Sequence, residues 1–375
     1  MIPRKSILLF IALLAIAGTI YYLESLKPKR VALPQSVEVT PAVSAMDTKE
    51  IEKKSKQYPL AKEITAPAGF INTQPFKIAD FIGKKVILLD FWTYSCINCQ
   101  RTLPYITTWW NKYKDDGLLV IGIHTPEFDF EKKLENVKSA TQKFGITYPV
   151  VLDNDYGTWT SYENRYWPRK YLIDIDGFIV YDHIGEGGYD VTEKKIQELL
   201  QEHNTRLGEQ RAVPTDMAHP DVQGPTQGVE LSPEIYFGSA RNLYLGNGAS
   251  QKSGMQTLQE PTGFKTNILY LAGDWNFINE YAENKSEQAK IIFRYQAKNV
   301  FFVANSETGA TIRVLQDGKP LGAEAGADVA KDGSSTAHIK EPRLYKLIQD
   351  STYGEHTIEI IIEKPGLNAF TFTFG

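Results

Sequence analysis

The chain begins with a basic pair, Arg4 and Lys5, followed by an uncharged apolar run over residues 7–23 that is interrupted only by Gly18, Thr19, Tyr21 and Tyr22. A run of this length sits at the lower limit of roughly 17–25 residues for a bilayer-spanning helix, and Tyr21 and Tyr22 fall where side chains meet the headgroups. The pattern predicts a single N-terminal transmembrane helix. A cleaved signal peptide is the competing reading, since Ala15-Ile16-Ala17 has the small-x-small form of a cleavage site; the apolar character that continues to Leu23 favours the uncleaved anchor. Basic residues flank both ends (Arg4 and Lys5; Lys27, Lys29 and Arg30), so orientation rests on the ordinary export arrangement, which places everything after Leu23 outside the cytoplasm. Residues 1–23 therefore form an anchor or signal segment. Residues 24–62, with Pro28, Pro34, Pro41 and Pro59 and little periodicity, form a tether.

Over 63–205 strands alternate with helices. A nearly continuous apolar run, Val86–Trp92, reads as a strand buried on both faces and leads into a helix over 100–114 that Gly117 ends. A second buried strand covers 118–123, a charged amphipathic helix 130–144, and a third strand 148–152. Strands over 169–173 and 178–184 frame a hairpin at Asp176-Gly177, and a helix over 191–203 closes the region. This is an α/β unit with a mixed sheet and flanking helices. A proline-bearing linker occupies 206–230. Over 231–375 about eight short strands, near 235–237, 267–271, 289–295, 300–304, 311–315, 343–348, 356–362 and 370–374, predict an all-β sandwich of jelly-roll kind.

With 41 Lys+Arg against 45 Asp+Glu in 375 residues, the chain has a net charge of −4 and no basic surface to neutralise phosphates, so nucleic acid is not an expected partner. The chain has two cysteines, Cys96 and Cys99, which excludes a disulfide scaffold and a four-cysteine zinc site. A lone Cys-x-x-Cys remains, meaning either redox chemistry or half of a Cys/His site. The second would need His124 and His183, which nothing places nearby, so no metal is expected. Cys96 stands where a buried strand meets a helix. The unsatisfied N–H groups and partial positive charge of a helix start favour a thiolate there, making Cys96 the attacking sulfur. Cys99 faces the same side, placed to attack a mixed disulfide at Cys96 and release the reduced client. No cofactor beyond the Cys96–Cys99 redox pair is expected.

The segment Asp90-Phe91-Trp92-Thr93-Tyr94-Ser95-Cys96-Ile97-Asn98-Cys99 resembles the active-site segment of the thioredoxin superfamily. Asp90 lies six before Cys96 and Trp92 four before it. Pro104 falls where that family kinks its active-site helix, and Trp167-Pro168 falls where it carries a cis-proline loop. Three further segments resemble the thioredoxin-like portion of DipZ-type cytochrome c biogenesis proteins: residues 122–128 (GIHTPEF), 153–156 (DNDY) and 164–168 (NRYWP). The region after 230 resembles, more weakly, their C-terminal segment.

The resemblance implies a thioredoxin-like fold, a buried Asp90 that moves a proton to or from Cys99, and a cis Pro168 that leaves the Trp167 backbone open to an extended substrate. The expected substrate-binding set is Trp92, Ser95, Trp167 and Pro168. The implied partners are client proteins with thiols or disulfides and a separate membrane electron donor; at the C-terminal domain carbohydrate is open by analogy alone, with Tyr270, Trp275 and Phe277 as a candidate aromatic platform although alternating aromatics in strands are more often core, and a partner-docking or structural role is equally open. The implied function is a membrane-tethered, extracytoplasmic (periplasmic) reductase of client disulfides. Ser95 replaces an aromatic residue of thioredoxin and Ile97-Asn98 replaces Gly-Pro, so a disulfide oxidase or isomerase stays open. Also open are a β-sandwich binding protein with an inert Cys96–Cys99 bond and a peroxidase using one cysteine with Arg101 and Thr102.

Overall fold

The computed structural model describes residues 45–222, 224 and 228–375. The expected membrane helix at 7–23 lies outside the described residues, and no helix among them is long and apolar enough to cross a membrane. The chain divides into two units, 1–50 and 51–375. Of the first, only the start of helix α1 (Ala45–Gln57) is described; all that follows concerns the second.

Helix α1 occupies part of the stretch expected as a featureless tether. Its Lys54 ammonium lies 2.7 Å from Asp174 and 2.9 Å from Asp176 and also pairs with Glu202. Three carboxylates around one half-buried cation hold this end of the helix to the fold, within the stretch 24–62 that was expected as a tether.

The α/β layer comprises β1 (Gly69–Ile71), β2 (Val86–Trp92), α2 (Ile97–Tyr113), β3 (Leu118–His124), α3 (Leu134–Lys143), β4 (Val150–Leu152), α4 (Gly157–Ser161), β5 (Arg169–Ile173), β6 (Ile179–Ile184) and α5 (Tyr189–Leu207). The sheet order is β1-β4-β3-β2-β5-β6, with β2, β3 and β4 parallel and the other pairings antiparallel. Every position of β2 and β3 is buried, as expected for central strands covered on both faces. Leu88 and Trp92 pack with Leu103, Ile106, Ile196 and Leu200 on the face covered by α2 and α5; Ile87, Leu89 and Phe91 pack on the other. The helix expected over 130–144 is split. A 3-10 turn, Asp129–Lys132, precedes α3 because the Glu131 carboxylate takes the backbone N–H groups of Glu127 and Phe128 and tightens that turn.

The C-terminal region holds β7 (Ile235–Tyr236), β8 (Gly254–Leu258), β9 (Leu269–Phe277), β10 (Ala282–Asn284), β11 (Ala289–Asn305), β12 (Ala310–Gln316), β13 (Lys319–Pro320), β14 (Thr336–Ile339), β15 (Arg343–Ile362) and β16 (Asn368–Phe374). Their hydrogen bonding is continuous through one ten-stranded sheet, where separate sheets of short strands were expected. The pairs read as 289–295 with 300–304 and as 343–348 with 356–362 are single long strands, β11 and β15, joined along most of their length. Register shifts at Ala297/Asn299 and Val300/Phe301 accommodate the polar Lys298-Asn299 step, so β11 continues across it. Its first half pairs with β9 and its second with β16. Of the two readings of Tyr270, Trp275 and Phe277, the structure fits the core one and not the platform: all three are buried, the last two within the core of this region. Phe301, Val303, Leu344 and Phe370 turn the other way and join the buried cluster of Tyr94, Ile97, Phe128 and Phe130, seating the β region on the α/β layer beside the cysteines.

Candidate active site

Helix α2 begins immediately after Cys96, whose backbone is extended (φ −80°, ψ 121°) and whose sulfur accepts the Cys99 N–H at 3.3 Å. The sulfur thus takes the place of the capping oxygen that satisfies a helix's first free donors. Cys96 is half-buried, Cys99 buried, and both are free thiols. The Trp167–Pro168 peptide is cis, and the Trp167 carbonyl oxygen lies 4.0 Å from the Cys96 sulfur. The Trp167 indole N–H donates to the Thr125 carbonyl at 3.0 Å and its ring packs on Trp159 at 4.3 Å, fixing the residue beside the thiol.

Behind the thiols lies a buried polar group of atoms. Asp90, on β2, is 1% exposed, and neither carboxylate oxygen has a hydrogen-bond partner among the described residues. Burial pushes its carboxyl up to about 6, against the opposing pull of the Lys170 ammonium. Burial likewise pushes the Cys99 thiol well up, with Cys96 and Asp90 adding in the same direction. Lys170 is fully buried on β5, directly across from Asp90 in the antiparallel register. The Tyr148 hydroxyl, also buried and unpartnered, feels both Asp90 and Cys99. Sequence reasoning missed Lys170. The available signal was a lysine at the inward position of a strand whose next inward residue is Leu172.

It also missed Glu131. This fully buried carboxylate accepts from the Ser95 N–H at 3.1 Å, the Ser95 hydroxyl at 2.8 Å, the Glu127 N–H at 2.7 Å and the Phe128 N–H at 3.1 Å. Burial pushes it up to about 7 even with those donors. Ser95 is thereby held from below while lining a cleft of about 360 Å³ with Cys96, Asn98, Trp167 and, from the β region, Tyr236, Arg241 and Thr373. Arg241 pairs with Glu127 at 2.8 Å and stacks on Tyr236 at 3.7 Å, and the Tyr236 hydroxyl donates to Glu127 at 2.9 Å.

The expected substrate contact at Trp92 is corrected. Its ring is fully buried, edge-on to His124 at 5.1 Å, and it stands so close to Gly122 that a Cβ there would meet the indole nitrogen at 2.9 Å. Trp92 supports the site from beneath. Arg101 and Thr102, the pair a peroxidase reading would use, are engaged elsewhere: Arg101 with Glu186 at 2.7 Å, and the Thr102 hydroxyl with the Asn98 carbonyl at 2.9 Å.

Residues 60–182 match the AhpC/TSA family, and residues 232–375 match a family described as thioredoxin like C-terminal domain. Protein DipZ of Mycobacterium tuberculosis is 37% identical over 317 residues, covering 84% of this chain and 43% of the relative, so the chain spans less than half the length of that protein. Thiol-disulfide oxidoreductase ResA of Bacillus thuringiensis is 30% identical over 133 residues, 33% of this chain and 74% of the relative. A solved thioredoxin-like protein in its oxidized form is 27% identical with a TM-score of 0.36, covering 39% of this chain and 97% of that one. With a capped Cys-x-x-Cys and, in ResA, a relative 30% identical over 74% of its own length, the chain belongs to the thioredoxin-like thiol–disulfide oxidoreductases.

Proposed function

We propose that the chain is a membrane-tethered, extracytoplasmic reductase of client-protein disulfides, of the cytochrome c maturation type. The observation that carries the dithiol reading is the helix cap at Cys96, with the buried Cys99 thiol and Asp90 carboxylate directly behind it. The Cys96 thiolate attacks a client disulfide, whose S–S bond breaks as a mixed disulfide forms and one client thiolate leaves. Cys99 gives its proton to Asp90 and attacks the Cys96 sulfur; the Cys96–Cys99 bond forms and the second client thiolate departs and is protonated. The protein loses two electrons and the client gains them. Pro168 and the Trp167 backbone orient the incoming segment, and Ser95 lines its path. The apolar run at 7–23 supplies the tether, and a separate membrane protein returns the electrons.

The test is the reduction potential of the Cys96/Cys99 couple in the full chain, equilibrated against glutathione or dithiothreitol buffers. A value near or below about −270 mV supports reduction; a value near about −120 mV overturns it in favour of disulfide donation.

A further inference from the structure

Cys96 faces a cleft of about 360 Å³ whose walls come from two parts of the fold, the cysteine loop with Trp167 on one side and the β region on the other. Register builds the second wall. Thr371 of β16 pairs with Tyr236 of β7 and with Val303 of β11, and directly paired residues share a face, so the three form one row across three strands. Thr373, two positions on, lies on that same face. On the opposite face the Phe372–Ile235 pair belongs to the core of the β region.

This wall is fixed in place. Strand β16 is hydrogen-bonded to β7, β10 and β11, so it has no freedom to swing outward alone. Phe370 packs on Phe128 and Phe130, the Tyr94 hydroxyl donates to the Pro342 carbonyl at 3.2 Å, and Arg241 pairs with Glu127 at 2.8 Å. Moving the β region away would also open the buried cluster in which Phe301, Val303 and Leu344 meet Ile97. Glu127 and Glu234 stand against Arg165 and Arg241 in the cleft, so its charges balance and give no sorting of clients by sign. Thr373 lines the cleft with its hydroxyl unpartnered among the described residues, a polar group left for an entering main chain.

Size then decides what reaches the sulfur. In a mixed disulfide the two Cα atoms stand about 5.5–6 Å apart, so the client backbone has to come that close to Cys96, inside the cleft. An extended segment is one chain thick, whereas a folded domain brings neighbouring strands about 4.8 Å to the side and a second layer about 10 Å behind. The cleft has the size of a small-molecule site, roughly 300–1,000 Å³, while a folded partner docks through about 800 Å² of its surface.

We infer that the β region is a selectivity wall: Tyr236, Arg241, Thr371 and Thr373 admit to Cys96 a disulfide carried on an extended, unfolded segment and turn away the same disulfide on the surface of a folded domain. This rests on the dithiol reading of the site. The exchange itself is unaltered, with the client disulfide gaining two electrons and two protons as the Cys96–Cys99 bond forms.

The experiment uses the full chain in its dithiol form and one disulfide in two settings: solvent-exposed across a surface loop of a folded domain, and in the excised loop peptide of the same sequence. The pair is chosen so that dithiothreitol reduces both at rates within about threefold of each other, which sets equal intrinsic access. The protein is expected to reduce the peptide at least about a hundredfold faster than the domain. Tyr236→Ala combined with Arg241→Ala lowers the wall, and the ratio is expected to fall about tenfold through a faster reaction with the domain, a gain that damage to the fold does not produce. Arg241→Ala alone is read in the same way if the double variant does not fold.

A peptide-to-domain ratio in the wild type that matches the one given by dithiothreitol overturns the inference and leaves the dithiol reading intact. So does a ratio that the wall variants leave unchanged, or one that falls only because the peptide slows. The dithiol reading has its own control in 5,5′-dithiobis(2-nitrobenzoate): a wild-type chain that releases one equivalent of nitrothiobenzoate and not the second overturns that reading itself.

Discussion

At the scale of single residues the site is governed by burial. Asp90 carries a raised carboxyl, about 6 in the folded chain against an ordinary 3.8, because its charged form has lost water. The native state therefore holds a proton that the unfolded chain gives up between about pH 4 and 6. In that window stability falls as pH rises, and the full cost is present above pH 6. Asp90→Asn removes this dependence. Relative to the wild type, the variant should gain stability as pH rises from 4 to 7, by on the order of 2–3 kcal/mol, read as the difference in urea midpoints at the two pH values. On the proposed role of Asp90 as acceptor of the Cys99 proton, the same substitution should slow the second release of nitrothiobenzoate when the dithiol form reacts with 5,5′-dithiobis(2-nitrobenzoate), the step in which Cys99 attacks the Cys96 sulfur, about a hundredfold or more, at the lower end of what a positioned acid or base contributes.

At the scale of elements, one local device holds the cysteine loop and another fixes the opposite end of α2. Glu131 gathers four donors, three of them backbone N–H groups at Ser95, Glu127 and Phe128. Glu131→Gln leaves one acceptor oxygen and adds two donors where donors already converge. Hydrogen exchange at those three amides should accelerate about tenfold, matching roughly one lost buried hydrogen bond, while the amides of β3 keep their protection. The second device is the turn between α2 and β3. Gly117 has φ 110°, and a Cβ there would stand 2.6 Å from the His203 ring, itself fixed by its bond to the Lys84 carbonyl at 2.9 Å. Gly117→Ala should cost more than about 2 kcal/mol in chemical denaturation, adding a clash to the left-handed penalty. Gly185→Ala, also at positive φ (80°) but with open space around it, should cost about 1 kcal/mol.

At the scale of the whole unit from residue 51 onward, the β region is part of the site. Phe370 meets Phe128 at 5.0 Å and Phe130 at 4.9 Å, and the Arg241–Glu127 pair with its Tyr236 stack walls the cleft that opens on Cys96. A small disulfide reagent needs little of that wall, whereas under the proposed function an extended client segment would lie against it. Arg241→Ala should change the KM for a disulfide-bonded peptide several-fold and leave the rate with a small disulfide within about twofold, measured by steady-state reduction of each.

The sequence alone determined what is decided by neighbours along the chain. Apolar periodicity and the Gly117 break located β2, α2 and β3, and so placed Cys96 at a strand-to-helix junction; Cys99 three residues on had to share its side of the helix. The resemblance carried by the segments around Asp90 and Trp167-Pro168 pointed to further candidate residues, but did not separate the buried Trp92 from Ser95, which lines the cleft. Lys170, Glu131 and Arg241 came only with the tertiary structure, because each acts across a gap in sequence: the β2–β5 register, a turn folded under Ser95, and the packing of Phe370 on Phe128. The same holds for β11 and β15. Their polar interruptions read as strand ends, yet a strand continues wherever a partner keeps its hydrogen bonds, and partners are a property of the folded sheet.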